Sequence, residues 1–200
     1  RTMIIGFSSM ILTFIIGIPL GITAAVHQNG WGDRICMIMA LAGVSIPEFW
    51  LALMLVILFA QKLGWLPASG IDHWTCYILP ILSGAVGGMA GLARQSRSSM
   101  LEVIRQDSIV NAKAKGVSKL KVTHVHALRN ALSPVVTAAG GTVGWLMGGV
   151  VVAEVVFPLP GLGRSMVTAN NQRDCPGTKG GGQCITVTFS LAIRAVALLQ

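Results

Sequence analysis

Between residues 3 and 26 the chain carries no Asp, Glu, Lys or Arg, and that stretch constrains the fold more than any other feature. A helix of these 24 residues rises about 36 Å, enough to cross the hydrocarbon layer with some tilt. In lipid every backbone polar group needs an internal partner, so a run of this kind predicts a transmembrane helix. Pro19, between Gly17 and Gly21, is tolerated there as a kink. Three further runs follow at residues 35–60, 77–93 and 131–157, interrupted only by Glu48 and Glu154. The expected fold is an all-α polytopic transmembrane bundle. Charged residues make up 11% of the chain, against about 25% in soluble domains.

Charge predicts the orientation. Eight of the fifteen Lys and Arg lie in residues 94–129, where Glu102 and Asp107 leave a net +6. Positive loops stay in the cytoplasm, so alternation puts residues 27–34 inside and 61–76 outside. Residues from 158 onward start outside. A net charge of +8 could suit nucleic acid, but its confinement between two apolar runs argues against that. Cys36, Cys76, Cys175 and Cys184 form no CxxC pair, so neither a disulfide framework nor a zinc site is expected.

The basic stretch has internal order. Good helix formers precede Gly116, which supplies a turn or left-handed cap. Ser118 can N-cap a second helix running toward Asn130, and Pro134 opens the next membrane run. A cytoplasmic helical hairpin over about 94–130, hinged at Gly116, is the expected structure, because a loop of that length without structure is unusual.

This hairpin resembles the EAA loop of permeases in binding-protein-dependent ABC importers, in the branch for di- and oligopeptides, glutathione and nickel. Residues 110–118 read VNAKAKGVS and residues 126–134 read HALRNALSP, similar to that branch's R-T-A-R-A-K-G-L/V-S and H-A-L-R-N-A-L-I-P. Val110 stands where the wider superfamily prefers Glu. Residues 45–51 (SIPEFWL), 64–70 (GWLPASG) and 156–164 (VFPLPGLGR) resemble further motifs in the same order and spacing.

The resemblance implies that Asn111, Ala112, Lys113, Ala114, Lys115, Gly116, Val117 and Ser118 dock on a cytoplasmic ATPase subunit. The small residues would permit close approach and the lysines would pair at the rim. It also implies two such ATPases, a second related permease, a periplasmic or lipid-anchored solute-binding protein, and a bacterial inner-membrane location. ATP and Mg would sit on the ATPases. This chain would bind no cofactor or metal and catalyse nothing itself. Residues 177–182 (GTKGGG) lack the ordered P-loop pattern. Which of peptide, glutathione or nickel crosses stays open.

Single residues refine the picture. A carboxylate within a span marks a pathway by default, so Glu48, next to Pro47, is a candidate path residue at a helix break. A position near a membrane face is the alternative. Glu154 is expected at the outer interface. Gly140, Gly144 and Gly148 are expected to line a helix-packing face. His124 and His126, at i and i+2, do not share a helix face and suit no metal site.

The likeness fails after Asp174. Residues 176–200 form an atypical tail with Arg194 inside a candidate last span, and are expected not to pack as a regular span. Four to five spans are thus present of an expected six, and the chain is expected to begin partway through a longer protein. An ion-coupled carrier or channel, the rival class, would need midplane ion ligands. Only Glu48 could serve, and that class gives no reason for the hairpin. A membrane scaffold without transport is a third reading.

Overall fold

The computed structural model describes residues 1–200 except 71–72, 108, 110–121, 123–126 and 198–200. Helix α1 spans Thr2–Val26, α2 Trp31–Ser45 and α3 Glu48–Leu55, which continues as a π-helical turn, Val56–Lys62. After a 3-10 turn at Trp74–Tyr77 come α4 (Ile78–Ile104), α5 (Leu128–Val156), α6 (Leu162–Asn171) and α7 (Cys175–Ala197). Among the described residues there is no strand.

The α1–α4 contact is the spine of the bundle. Ser9, Thr13, Gly17 and Gly21 recur every four residues and all are buried. Ser9 Oγ donates to the Ile81 carbonyl at 3.1 Å and Thr13 Oγ1 to the Ala85 carbonyl at 3.3 Å. A Cβ on Gly17 would lie 3.0 Å from the Met89 carbonyl oxygen, and one on Gly21 would collide with the Ala93 carbonyl. The partners on α4 also step by four, in the same direction, so the two helices run parallel. Small residues let the backbones approach this closely. Of the stripe expected at Gly140, Gly144 and Gly148, Gly140 is buried, whereas nothing described lies within 4 Å of where a Cβ on Gly148 would sit.

Between these parallel helices the chain must return. The turn after α1 uses Asn29 at φ 64°, and its N–H donates to Asp33 Oδ2 at 3.0 Å. Asp33 also suits the first turn of α2, where the helix dipole favours a carboxylate. Arg97 on α4 grips it with two bonds, Nε to Oδ1 at 2.5 Å and Nη2 to Oδ2 at 2.7 Å. The pair fixes the α1–α2 turn and the basic end of α4 on one side of the bundle, as charge alternation requires. The Asp33 side chain is 4% exposed and that of Arg97 22%, so the pair falls between surface and buried bridges. Asp33→Asn is expected to cost about 2 kcal/mol, read as a lower thermal midpoint in detergent. A midpoint equal to wild type would show that the turn holds without it.

The run at 35–60 is not one straight helix. Pro47 has no N–H to donate, and the preceding Ile46 is forced to an extended conformation (φ −78°, ψ 122°). Trp31–Ser45 and Glu48–Lys62 meet at 100°. The far end closes on Gly64, whose φ of 63° only glycine adopts readily. Trp65 then folds back on Phe59, ring centroids 6.2 Å apart.

The third run extends well past residue 93. α4 continues to Ile104 through the first arginines because Ser96, Ser99, Met100 and Val103 keep its buried face going. The onset of charge marks a membrane edge, not a helix end. Residues 94–104 are part of α4 and 128–130 part of α5, and the bend expected at Gly116 lies outside the described residues. Met100 and Val103 pack with Ala25, Ile109, Val122, Ala127 and Ala131 in one apolar cluster at this end. At the other end Ile5, Ala52, Leu79, Val150 and Phe157 join α1, α3, α4 and α5.

The tail is helical, α7 running unbroken from Cys175 to Ala197 and packing on α5 and α6. Thr186 and Ser190 hydroxyls each bond to a carbonyl one turn back, both at 2.9 Å, which satisfies polar groups inside the helix. Gly181 gives room for Met166 of α6. Among the described residues, three helices are long and apolar enough to cross a membrane, or four if the bent pair counts as one span, and α7 is not among them.

Candidate translocation site

Pro47 ends one helix and places Glu48 at the first position of the next. The 100° bend then carries the side chain inward rather than toward lipid. Its carboxylate lies directly on Gly149 of α5, so closely that any Cβ there would overlap it. From α4, a Cβ on Gly84 would sit 3.7 Å from Glu48 Oε1 and 3.3 Å from Ser9 Oγ of α1. Three helices thus surround one carboxylate, and glycines on two of them make the space. Ser9 spends its proton on the Ile81 carbonyl. Glu48 Oε1 is buried without a hydrogen-bond partner among the described residues. A buried unsatisfied polar atom costs stability, which is tolerated most often at functional positions.

One turn further along α4 and α5, a cavity of ≈ 230 Å³ opens between these helices and α2. Gly43, Gly87 and Gly91 give it backbone walls, and Thr142, Trp145 and Arg94 supply its larger side chains. The Trp145 ring rests on Gly87, its Cζ2 3.1 Å from where a Cβ would be, and Trp145 is 50% exposed.

Glu154 is not exposed as expected of an interfacial residue. It is fully buried, at 0% exposure, and it caps α6 from within α5. Thr2 Oγ1 donates to Glu154 Oε1 at 2.5 Å and accepts from the Leu162 N–H at 3.0 Å. The Arg164 N–H donates to Oε2 at 3.1 Å. The first amides of a helix have no internal partners, and a carboxylate there also meets the favourable end of the dipole. A Cβ on Gly161 would strike the carboxylate, and one on Gly163 would come within 2.8 Å of the Val151 backbone. The PGLG segment is therefore a socket for Glu154. A position near the far end of the run suggested exposure, whereas the turn at 158–161 folds α6 back over it.

Asn111, Ala112, Lys113, Ala114, Lys115, Gly116, Val117 and Ser118 lie outside the described residues, as do His124 and His126. Their flanks are placed: Ile109, Val122 and Ala127 are buried in the cluster formed with α1, α4 and α5. Of the sequence-predicted path residues, the structure brings Glu48 into the bundle at the break made by Pro47. Gly149, Trp145, Thr142 and Arg94 escaped sequence reading. A lone Trp inside a glycine-rich run was the available signal for the first three, and Arg94 was counted only as the first cation of a loop.

An all-α bundle with a broken span, a carboxylate at the break and a cavity beside it is the architecture of a polytopic membrane protein. The chain belongs to the family described as the binding-protein-dependent transport system inner membrane component, whose model matches residues 17–200. It is an inner-membrane component. Glutathione transport system permease protein GsiC of Pectobacterium atrosepticum is 44% identical over 191 residues, covering 96% of this chain and 61% of the relative. The protein of the same name from Escherichia coli strain K12 is 44% identical over 175 residues, covering 88% and 57%. The chain thus spans less than two thirds of the length of these relatives. A chain of the MetNI methionine ABC transporter, in an inward-facing conformation, shares the fold at a TM-score of 0.78 and 21% identity, over 98% of this chain and 92% of that one. The family match includes the tail that the motifs did not cover.

Proposed function

We propose that this chain forms part of the path by which an ATP-driven importer moves a peptide-like solute across the bacterial inner membrane. The observation that carries the reading is the Glu48 carboxylate, held between α4 and α5 at a break in a span, in a chain of this family. A charged group in that setting is costly unless a polar solute or water meets it. The glutathione permeases at 44% identity support a small peptide as the cargo class. Two cytoplasmic ATPases carry the nucleotide and Mg, a second related permease completes the path, and an external binding protein delivers the solute. Residues 111–118 dock the ATPase, the small residues Ala112, Ala114 and Gly116 permitting close approach.

The test is uptake of radiolabelled glutathione by the complete transporter in proteoliposomes with internal ATP. Uptake is expected to require ATP hydrolysis. Gly116→Trp is expected to abolish both ATPase co-purification and uptake while leaving membrane insertion intact. Uptake without ATP, or a Gly116→Trp transporter as active as wild type, would overturn the reading.

A further inference from the structure

The cavity between α2, α4 and α5 has a polarity that the path reading leaves unexplained. Gly84, Gly87, Gly91 and Arg94 step along one face of α4, three or four residues apart. Gly149, Trp145 and Thr142 do the same on α5. The two faces oppose each other, as the Gly87–Trp145 contact shows. Beyond the Trp145 end, outside the cavity's lining, lies the Glu48 carboxylate, against Gly84 and Gly149. At the other, Arg94 lines the cavity. Among the described residues the only ion pair is Arg97–Asp33, so neither Glu48 nor Arg94 is neutralised by a described residue.

Direction and length narrow what fits. A helical side chain leans toward the N-terminus of its helix, so Arg94 leans toward Gly91 and into the cavity rather than away to the basic loop. Gly84 and Arg94 are ten positions apart, about 15 Å along α4. Three residues of extended peptide span about 10 Å, and the arginine side chain covers the remainder. Between the two charges the half-exposed Trp145, its ring on Gly87, offers a face to a cation or an apolar side chain, and open space remains over Gly91.

The geometry points to a zwitterionic solute lying lengthwise in this cleft, its carboxylate on Arg94 and its ammonium directed along Trp145 toward Glu48. This deepens the proposed import function and rests on it for its cargo class. Arg94 and Glu48 would then be specificity-determining residues for the two peptide termini, and peptides would cross with a fixed polarity.

The experiment is equilibrium binding of radiolabelled trialanine, trialanine amide and N-acetyl-trialanine to the complete transporter in nanodiscs, without the binding protein. Wild type is expected to bind trialanine at least about tenfold more tightly than the amide, the scale of one charge-assisted bidentate contact. Arg94→Gln is expected to erase that ratio while preserving discrimination against the N-acetyl peptide. Glu48→Gln is expected to do the reverse, and Arg94→Lys to restore part of the carboxylate preference. Absence of specific trialanine binding, a carboxylate preference surviving in Arg94→Gln, or equal weakening toward all three peptides would overturn the assignment. Uptake by the same preparation in proteoliposomes separates the two failures. ATP-driven uptake with unmoved terminus preferences sinks the cleft alone, whereas terminus-specific binding without any ATP-driven uptake sinks the transport reading.

Discussion

Glu154→Ala is expected to destabilise the protein by on the order of 3 kcal/mol. The substitution strands the Thr2 hydroxyl and the Arg164 N–H, both now bonded to the carboxylate, and leaves a void under the socket of Gly161 and Gly163. Each orphaned buried donor costs roughly 1–3 kcal/mol. Glu154→Gln keeps one acceptor oxygen and should cost about 1 kcal/mol. The effect is local before it is global, since α6 loses its cap. Limited proteolysis should therefore cut first in the turn at residues 158–161, and the thermal midpoint should fall in the order wild type, Gln, Ala. An alanine variant as stable as wild type and as resistant to cleavage would mean that the buried triad contributes nothing net.

The opposite sign is expected at Glu48. Its Oε1 is buried without a described partner, so the folded state carries a desolvation cost that a methionine of similar length would remove. Glu48→Met should raise stability by about 1–2 kcal/mol. The same change should lower solute uptake at least about tenfold, since the only carboxylate at the helix break is gone. A structural carboxylate such as Glu154 loses stability when removed, whereas a path carboxylate loses function and gains stability. The pairing of the two signs is what distinguishes them. Should Glu48→Met lower the midpoint, the side chain is satisfied by a group outside this chain, and the strain attributed to it is absent.

The sequence made some of this architecture legible and hid the rest for physical reasons. Charge-free runs located the helices because lipid penalises every charge alike, but they said nothing of where a helix ends in water. Hence α4 runs on to Ile104 on a buried face of serines and Val103 that hydropathy does not register. Pro47 announced a break, yet the 100° angle depends on what α3 packs against, namely Ala52 in the cluster with Leu79 and Val150. Small residues at four-residue spacing occur on several helices. Only the partner decides which stripe is used, and the partner of Ser9, Thr13, Gly17 and Gly21 is 72 residues away in the chain at the first two positions. Glu48 and Glu154 look alike in sequence as lone carboxylates in apolar runs. Their difference arises from the Arg164 amide and the Thr2 hydroxyl at one and a pair of glycines at the other. The α7 helix was obscured by its glycines, which tertiary contacts with α5 and α6 tolerate.

Everything about transport depends on solute meeting the carboxylate at the helix break, and accessibility measures that directly. In a background with Cys36, Cys76, Cys175 and Cys184 replaced by serine, Glu48→Cys would be titrated with a membrane-impermeant maleimide from each side of proteoliposomes holding the complete transporter. The cysteine is predicted to react from one face without nucleotide and to change its reactivity when ATP is bound and hydrolysed. A cysteine that stays unreactive from both faces in every nucleotide state would contradict it, and Glu48 would be a buried structural residue in a path that runs elsewhere.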